Sequence, residues 1–247
     1  MARVVMIHGA FNELWGPYEL KARWMPALRD GLWHHSVEID DTDVGVCFWG
    51  DLFRPQPNSE SELQRQRSHL GADDPLRSLP GHNVIAALGM AANEAAHERT
   101  IEMLRMIVAT PDVRARMRAR AEAVITDNTR VIVAHSIGTL LAHTALCNNP
   151  HWRVHTLVTL GSPLALPSIF QFLDPPPIND MGHWPGSIER WVNIRAIGDK
   201  AAEVTLQEKF GPRVEERFVY NGYRAHDPEP YLNAAATGAA IAAGLVE

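Results

Sequence analysis

The sequence predicts one α/β domain over residues 1–247, with a mostly parallel sheet of about six strands and helices on both faces. Three observations carry that expectation. Short apolar runs, most of them rich in β-branched residues, recur along the chain, and helical periodicity follows most of them. Several of these runs close directly on glycine or on a lone polar residue, as strands do where they turn into helices. A chain of 247 residues, 46% hydrophobic and 21% charged, is long and apolar enough for one sizeable core.

Composition also excludes. A net charge of -6 argues against nucleic acid and anionic membrane as partners. The two cysteines, Cys47 and Cys147, lie inside apolar stretches and suggest no disulfide framework, which fits a reducing compartment. The apolar run at 4–7 is too short for a signal peptide, and the Ala-rich stretch at 234–245 is broken by Thr237 and Gly238 before it reaches membrane-spanning length. The expectation is a cytoplasmic protein without an integral membrane segment. Its oligomeric state is not legible.

In chain order, Val4-Val5-Met6-Ile7 reads as a buried strand running into His8-Gly9-Ala10-Phe11. Pro17 opens a helix on which Leu20, Trp24 and Leu28 share a face, with Pro26 as a bend and Gly31 as the expected stop. Residues 44–50 form the second strand. Residues 54–82, with Pro55, Pro57, Pro75 and Pro80 among many polar residues, begin an insertion (54–110) that is a candidate cap or rim; a plain surface excursion is the alternative. Asn83 to Ala109 is helical in pattern, with Ile101, Leu104 and Val108 on one face. Thr110-Pro111 then starts another helix, striped by Val113, Met117, Ala121 and Val124. Its arginines 114, 116, 118 and 120 fan around an exposed side and read as a solvated face.

The most informative stretch is Arg130-Val131-Ile132-Val133-Ala134-His135-Ser136-Ile137-Gly138. A β-branched run meets a serine and turns at once into a helix bearing Leu140, Leu141, Ala145 and Leu146. A serine at such an apex is pushed off the sheet, and the helix N-terminus behind it offers backbone N–H groups. Those are the needs of a serine nucleophile: exposure to a base, and donors for an oxyanion. Gly138 allows close helix-strand packing, and Ala134 occupies the first position of a Gly-x-Ser-x-Gly pattern. Ile137 is the expected first oxyanion donor. The second is Ala10 or Phe11, in the loop after the first strand.

Residues 154–160 form the next strand and close on Gly161-Ser162-Pro163. Leu164 and Phe170, in the segment that follows, are candidate walls of an acyl or leaving-group pocket, with core packing as the alternative. His135, adjacent to the serine, is a third pocket candidate, a packing or hydrogen-bonding residue rather than a base. Residues 191–197 make a strand ending at Gly198-Asp199, and 214–220 a last one before Ala225-His226-Asp227-Pro228, where the closing helix starts.

Ser136, Asp199 and His226 therefore each follow a predicted strand, at the sheet edge where α/β proteins place their chemistry. In that order they suit a nucleophile, an acid that orients the imidazole, and a general base. Asp174 and Asp180 are rival acids and His183 a rival base. No metal site is expected: His34-His35 lacks a third partner and no His-Glu-x-x-His occurs. No phosphate-binding loop is present either, so no cofactor is expected.

Several motifs together resemble a known family. The Val-x-x-His-Ser-x-Gly elbow, Thr-Leu-Gly-Ser-Pro, Trp-Val-Asn leading to Gly-Asp, and Asn-Gly-x-x-Ala-His-Asp-x-x-Pro-Tyr-Leu are similar to those of small bacterial serine hydrolases of the α/β-hydrolase fold, particularly actinobacterial ones, loosely labelled serine peptidase or lipase-like. The resemblance covers nearly all the chain, most weakly over 54–110. It implies Ser136 as nucleophile, Asp199 as acid and His226 as base. The chain departs from the family at Lys200-Ala201-Ala202, where a more apolar, valine-containing turn is usual, and Lys200 becomes a candidate partner for Asp199. The expected activity is cofactor-free cleavage of a small-molecule ester, thioester or amide through an acyl-enzyme. An acyltransferase or cyclase using the same acyl-enzyme, and a catalytically idle fold that binds a partner protein, are the alternatives.

Overall fold

A computed structural model describes residues 2–54, 103, 106, 107 and 110–246. Six strands form one sheet: β1 (Val4–Ile7), β2 (Val44–Cys47), β3 (Val131–His135), β4 (Thr156–Leu160), β5 (Arg190–Ala196) and β6 (Glu215–Val219). Their spatial order is β2-β1-β3-β4-β5-β6, and every neighbouring pair is parallel. Each strand coincides with a predicted run, β1 with the same bounds and the others with ends trimmed or shifted. β2 stops at Cys47 rather than running on to Gly50, and the Trp49 N–H donates to His8 Nε2 at 3.1 Å instead of joining the ladder.

Among the described residues the α-helices are α1 (Pro17–Trp33), α2 (Pro111–Glu122), α3 (Gly138–Asn148), α4 (Pro167–Phe170), α5 (Gln207–Phe210), α6 (Pro228–Leu232) and α7 (Ala235–Val246). Every residue of β1, β3 and β4 is buried, which is why these strands read as continuous apolar runs. Side-chain alternation along the strands then divides the core in two. Val5, Ile7, Ile132, Ala134 and Leu157 pack with α2 and α3. Val4, Met6, Val131, Val133 and Val158 pack with α1, α6 and α7 on the other face.

Two helices differ from expectation. α1 runs through Gly31 to Trp33, because Gly31 serves packing rather than termination: a Cβ there would lie 2.2 Å from the Leu232 carbonyl oxygen. The closing helix is two helices, α6 and α7. The Thr237 hydroxyl donates to the Tyr231 carbonyl at 2.6 Å, capping the end of α6 before α7 continues. On α2, Arg118 and Arg120 are partly exposed and reach Asp174 (3.5 Å) and Asp51 (2.6 Å). The expected cap over 54–110, beyond Arg54 and a few positions, and the helix expected over Asn83–Ala109 lie outside the described residues. No helix among the described residues is long and apolar enough to cross a membrane.

Candidate active site

Ser136 follows β3 directly and holds a left-handed backbone, φ 54°. For a residue other than glycine that conformation costs on the order of 1–3 kcal/mol and persists only where its surroundings fix it. Here they do. The Ser136 N–H donates to the Leu160 carbonyl of the adjacent strand at 2.9 Å, and the Ser136 carbonyl accepts from the Thr139 N–H (3.0 Å) and hydroxyl (2.7 Å). The Ser162 hydroxyl in turn donates to Thr139 Oγ1 at 2.9 Å. At Gly138 a Cβ would stand 2.3 Å from the His8 carbonyl oxygen, so only glycine lets α3 begin this close to the loop after β1.

His226 lies in the loop between β6 and α6. Its Nε2 is 2.9 Å from Ser136 Oγ, and its Nδ1 is 2.9 Å from both carboxylate oxygens of Asp199. A carboxylate only accepts, so Nδ1 carries the proton and Nε2 is the bare acceptor facing the serine hydroxyl. Asp199 is buried at the end of β5. Its Oδ1 also takes the Ala201 N–H at 2.9 Å and its Oδ2 the Tyr231 hydroxyl at 2.6 Å. Burial by itself would raise its pKa. The hydrogen bond and charge of His226, with the Tyr231 and Ala201 donors, outweigh burial and hold the carboxyl below its ordinary range. Lys200 pairs with Glu203 at 3.2 Å rather than with Asp199.

Gly161, left-handed at φ 56°, makes room for this pair. A Cβ there would sit 2.8 Å from Asp199 Oδ2 and 3.2 Å from His226 Nδ1. His135 holds His226 from the other side, donating from Nε2 to the His226 carbonyl at 2.8 Å. Burial and the neighbouring His226 push His135 down to about 3, so it remains a neutral donor.

The loop after β1 is shaped by two side chains. His8 donates from Nδ1 to the Gly9 carbonyl at 2.7 Å; burial lowers its pKa to about 4 and keeps it neutral. Asn12 Nδ2 donates to the Gly9 and Ala10 carbonyls at 3.2 and 2.9 Å. In a trans peptide the N–H points opposite to the C=O, so the Ala10 and Phe11 N–H groups face away from Asn12. A cavity of about 770 Å³ opens here, lined among others by Ala10, Phe11, Trp24, His135, Ser136 and His226. Arg23 lies over the Trp15 ring at 3.6 Å, also on its wall.

The structure thus brings Ser136, Asp199 and His226 into one hydrogen-bonded chain, with Ile137 next to the serine and Ala10, Phe11 and His135 along the cavity. Leu164 and Phe170 are not on its wall. Both are buried on the α2–α3 face of the sheet, where Phe170 meets the Phe210 ring at 6.0 Å, while the cavity opens beside α1 and α6. The rival acids are engaged elsewhere, Asp174 with Arg118 and Asp180 with Lys209 at 2.6 Å. His183 Nε2 is 3.0 Å from the Pro176 carbonyl oxygen, not near the serine. Sequence reasoning assigned no role to Tyr231; the only signal was its place in the Pro-Tyr-Leu run after His226. Among the described residues no group of three or more His, Cys, Asp or Glu could hold a metal ion. No family model matches this chain, and neither does any curated protein or solved structure.

Proposed function

We propose that this chain is a serine hydrolase of the α/β-hydrolase type, cleaving an ester, thioester or amide through an acyl-enzyme on Ser136. The observation that carries the reading is the unbroken line from Ser136 Oγ through His226 to Asp199, with links of 2.9 Å and its serine end on a cavity. The motif resemblance supports the same reading. His226 Nε2 takes the hydroxyl proton as Ser136 Oγ attacks the acyl carbon, and Asp199 stabilises the imidazolium that forms. The oxyanion accepts from the Ile137 N–H at the start of α3 and from an N–H of Ala10 or Phe11, each donor contributing about 3 kcal/mol to the transition state. The imidazolium then protonates the leaving group, and water activated by the same nitrogen releases the acid. His135 is unsuited to the base's role, since its Nε2–H is spent on the His226 carbonyl and its burial disfavours protonation.

Stopped-flow hydrolysis of short-chain p-nitrophenyl esters tests this. The parent is expected to release p-nitrophenolate, with a burst of at most one equivalent per Ser136 where deacylation limits. His226→Gln should lose about four orders of magnitude or more in the chemical step. Equal rates for the parent and His226→Gln would overturn the proposal.

A further inference from the structure

Tyr231 is fully buried on α6, the fourth of its five residues, and does not line the cavity. Its hydroxyl is fully committed. It donates to Asp199 Oδ2 at 2.6 Å and accepts the Ala196 N–H, from the end of β5, at 2.8 Å. With the Ala201 N–H on Oδ1 and the His226 Nδ1–H on both oxygens, each oxygen of the carboxylate holds two donors and the plane of the group is fixed. A tyrosine needed only for core packing requires some acceptor for its O–H. This one is given the single carboxylate that orients His226, at the 2.6 Å typical of a charge-assisted O–H···O⁻ bond.

We propose that Tyr231 is a positioning residue: it sets the orientation and basicity of Asp199, and through Asp199 the ring of His226. The geometric part of this stands on the hydrogen bonds alone, while its consequence for turnover rests on the hydrolase reading. Removing the hydroxyl takes a donor from Oδ2, frees the carboxylate to turn about its χ2, and leaves the Ala196 N–H without its acceptor. The carboxylate becomes more basic, because a donor that favoured its charged form is gone. Tyr231 meets the cavity only through wall residues such as Asp199 and does not line it, so substrate binding should be spared and the chemical step should suffer.

Carbon-13 NMR of the Asp199 carboxyl, assigned by its loss in Asp199→Asn, tests this without any substrate. Tyr231→Phe keeps the ring and is expected to raise the Asp199 titration midpoint by about one unit, the size of a charge-assisted hydrogen bond. With a p-nitrophenyl ester, kcat should fall by about tenfold with KM unchanged. In the parent protein, the Tyr231 hydroxyl proton should give a downfield, slowly exchanging resonance. An Asp199 midpoint unmoved in Tyr231→Phe overturns the proposal, even where the parent hydrolyses esters. A moved midpoint in a protein that hydrolyses nothing leaves the positioning role standing and removes the hydrolase reading instead. Should Tyr231→Phe fail to fold, the hydroxyl resonance decides, and its absence from the parent overturns the proposal.

Discussion

The two edges of the sheet, built from the same strands, use their polar groups differently. At the N-terminal edge, Arg190 at the start of β5 grips Glu215 at the start of β6 with two bonds of 2.6 and 2.9 Å, and Arg3 before β1 donates to the Leu245 carbonyl at 2.8 Å. The Arg190–Glu215 pair is near solvent. Among the described residues, none within three positions before a strand has a positive φ. At the C-terminal edge, β3, β4, β5 and β6 are each followed within three residues by a left-handed residue: Ser136, Gly161, Gly198 and Gly222. The polar groups there, Ser136, His135 and Asp199, are buried and bonded to one another or to adjacent loops. One edge closes the fold with inexpensive surface pairs. The other holds a strained serine and a buried carboxylate, both costly, and every bond they make helps aim one imidazole at one hydroxyl.

Substitutions should therefore affect chemistry at one edge and little at the other. The largest effect is expected for Asp199→Asn, which keeps the side chain's size but loses the acceptor that sets the imidazole tautomer. Turnover of any accepted ester should fall by up to about four orders of magnitude. Asp174→Asn and Asp180→Asn, whose carboxylates are paired elsewhere, should stay within roughly tenfold of the parent. A crippled Asp180→Asn beside an active Asp199→Asn would undo the assignment of the acid.

Gly161→Ala comes next. Its Cβ would press on Asp199 Oδ2 at 2.8 Å from a backbone that favours glycine, so turnover should drop roughly a hundredfold through misplacement of the acid. Stability should fall by about 1–3 kcal/mol, read by urea unfolding. A fully active Gly161→Ala would show that this edge is less tightly fitted than its distances imply.

Acid should destabilise the protein through histidines buried in neutral form. Burial lowers His8 and His143 to about 4 and His135 to about 3. Unfolded histidine titrates near ~6.5. Below that pH the unfolded chain takes up protons the folded one refuses, so stability is complete above pH ~6.5 and declines as pH falls toward these lower values, by up to about 1.4 kcal/mol per unit per histidine. Asp199 adds a later loss: its depressed carboxyl stabilises the fold above the ordinary range near ~3.9, and that contribution disappears as pH falls through its lower folded value. His143 lies on α3 with its Nε2 2.9 Å from the His183 carbonyl oxygen, away from the serine. His143→Gln should flatten the pH 6.5–4 slope by about one proton and leave ester turnover alone.

The smallest effect belongs to the opposite edge. Glu215→Gln breaks a pair near solvent and should cost under about 1 kcal/mol with turnover unchanged. A large loss of activity there would erase the distinction between the edges.

Much of the fold was legible because parallel strands covered on both faces leave a strong trace: β1, β3 and β4 are buried along their whole length and read as unbroken apolar runs. Ser136, Asp199 and His226 were legible as strand-end residues in a suitable chain order and from the motifs around them, but order alone left Asp174, Asp180 and His183 as rivals. What a residue packs against was less legible. Leu164 and Phe170 follow β4 and are apolar, but which face of the sheet receives them depends on how the chain leaves Ser162, and it leaves toward α3. Gly31 looked like a helix stop and is a contact point for Leu232 of α6, 201 residues further along the chain. Tyr231 escaped for the same reason: its partner, Asp199, lies two elements back in the chain, and only the closed fold joins them.

The role of Ser136 is tested most directly by one covalent bond. Incubation with a fluorophosphonate probe, followed by intact mass and peptide mapping, should find one adduct per chain, on Ser136, formed at a rate that collapses in His226→Gln and absent in Ser136→Ala. An adduct on Ser162, or undiminished labelling of Ser136→Ala, would contradict the claim that Ser136 is the nucleophile.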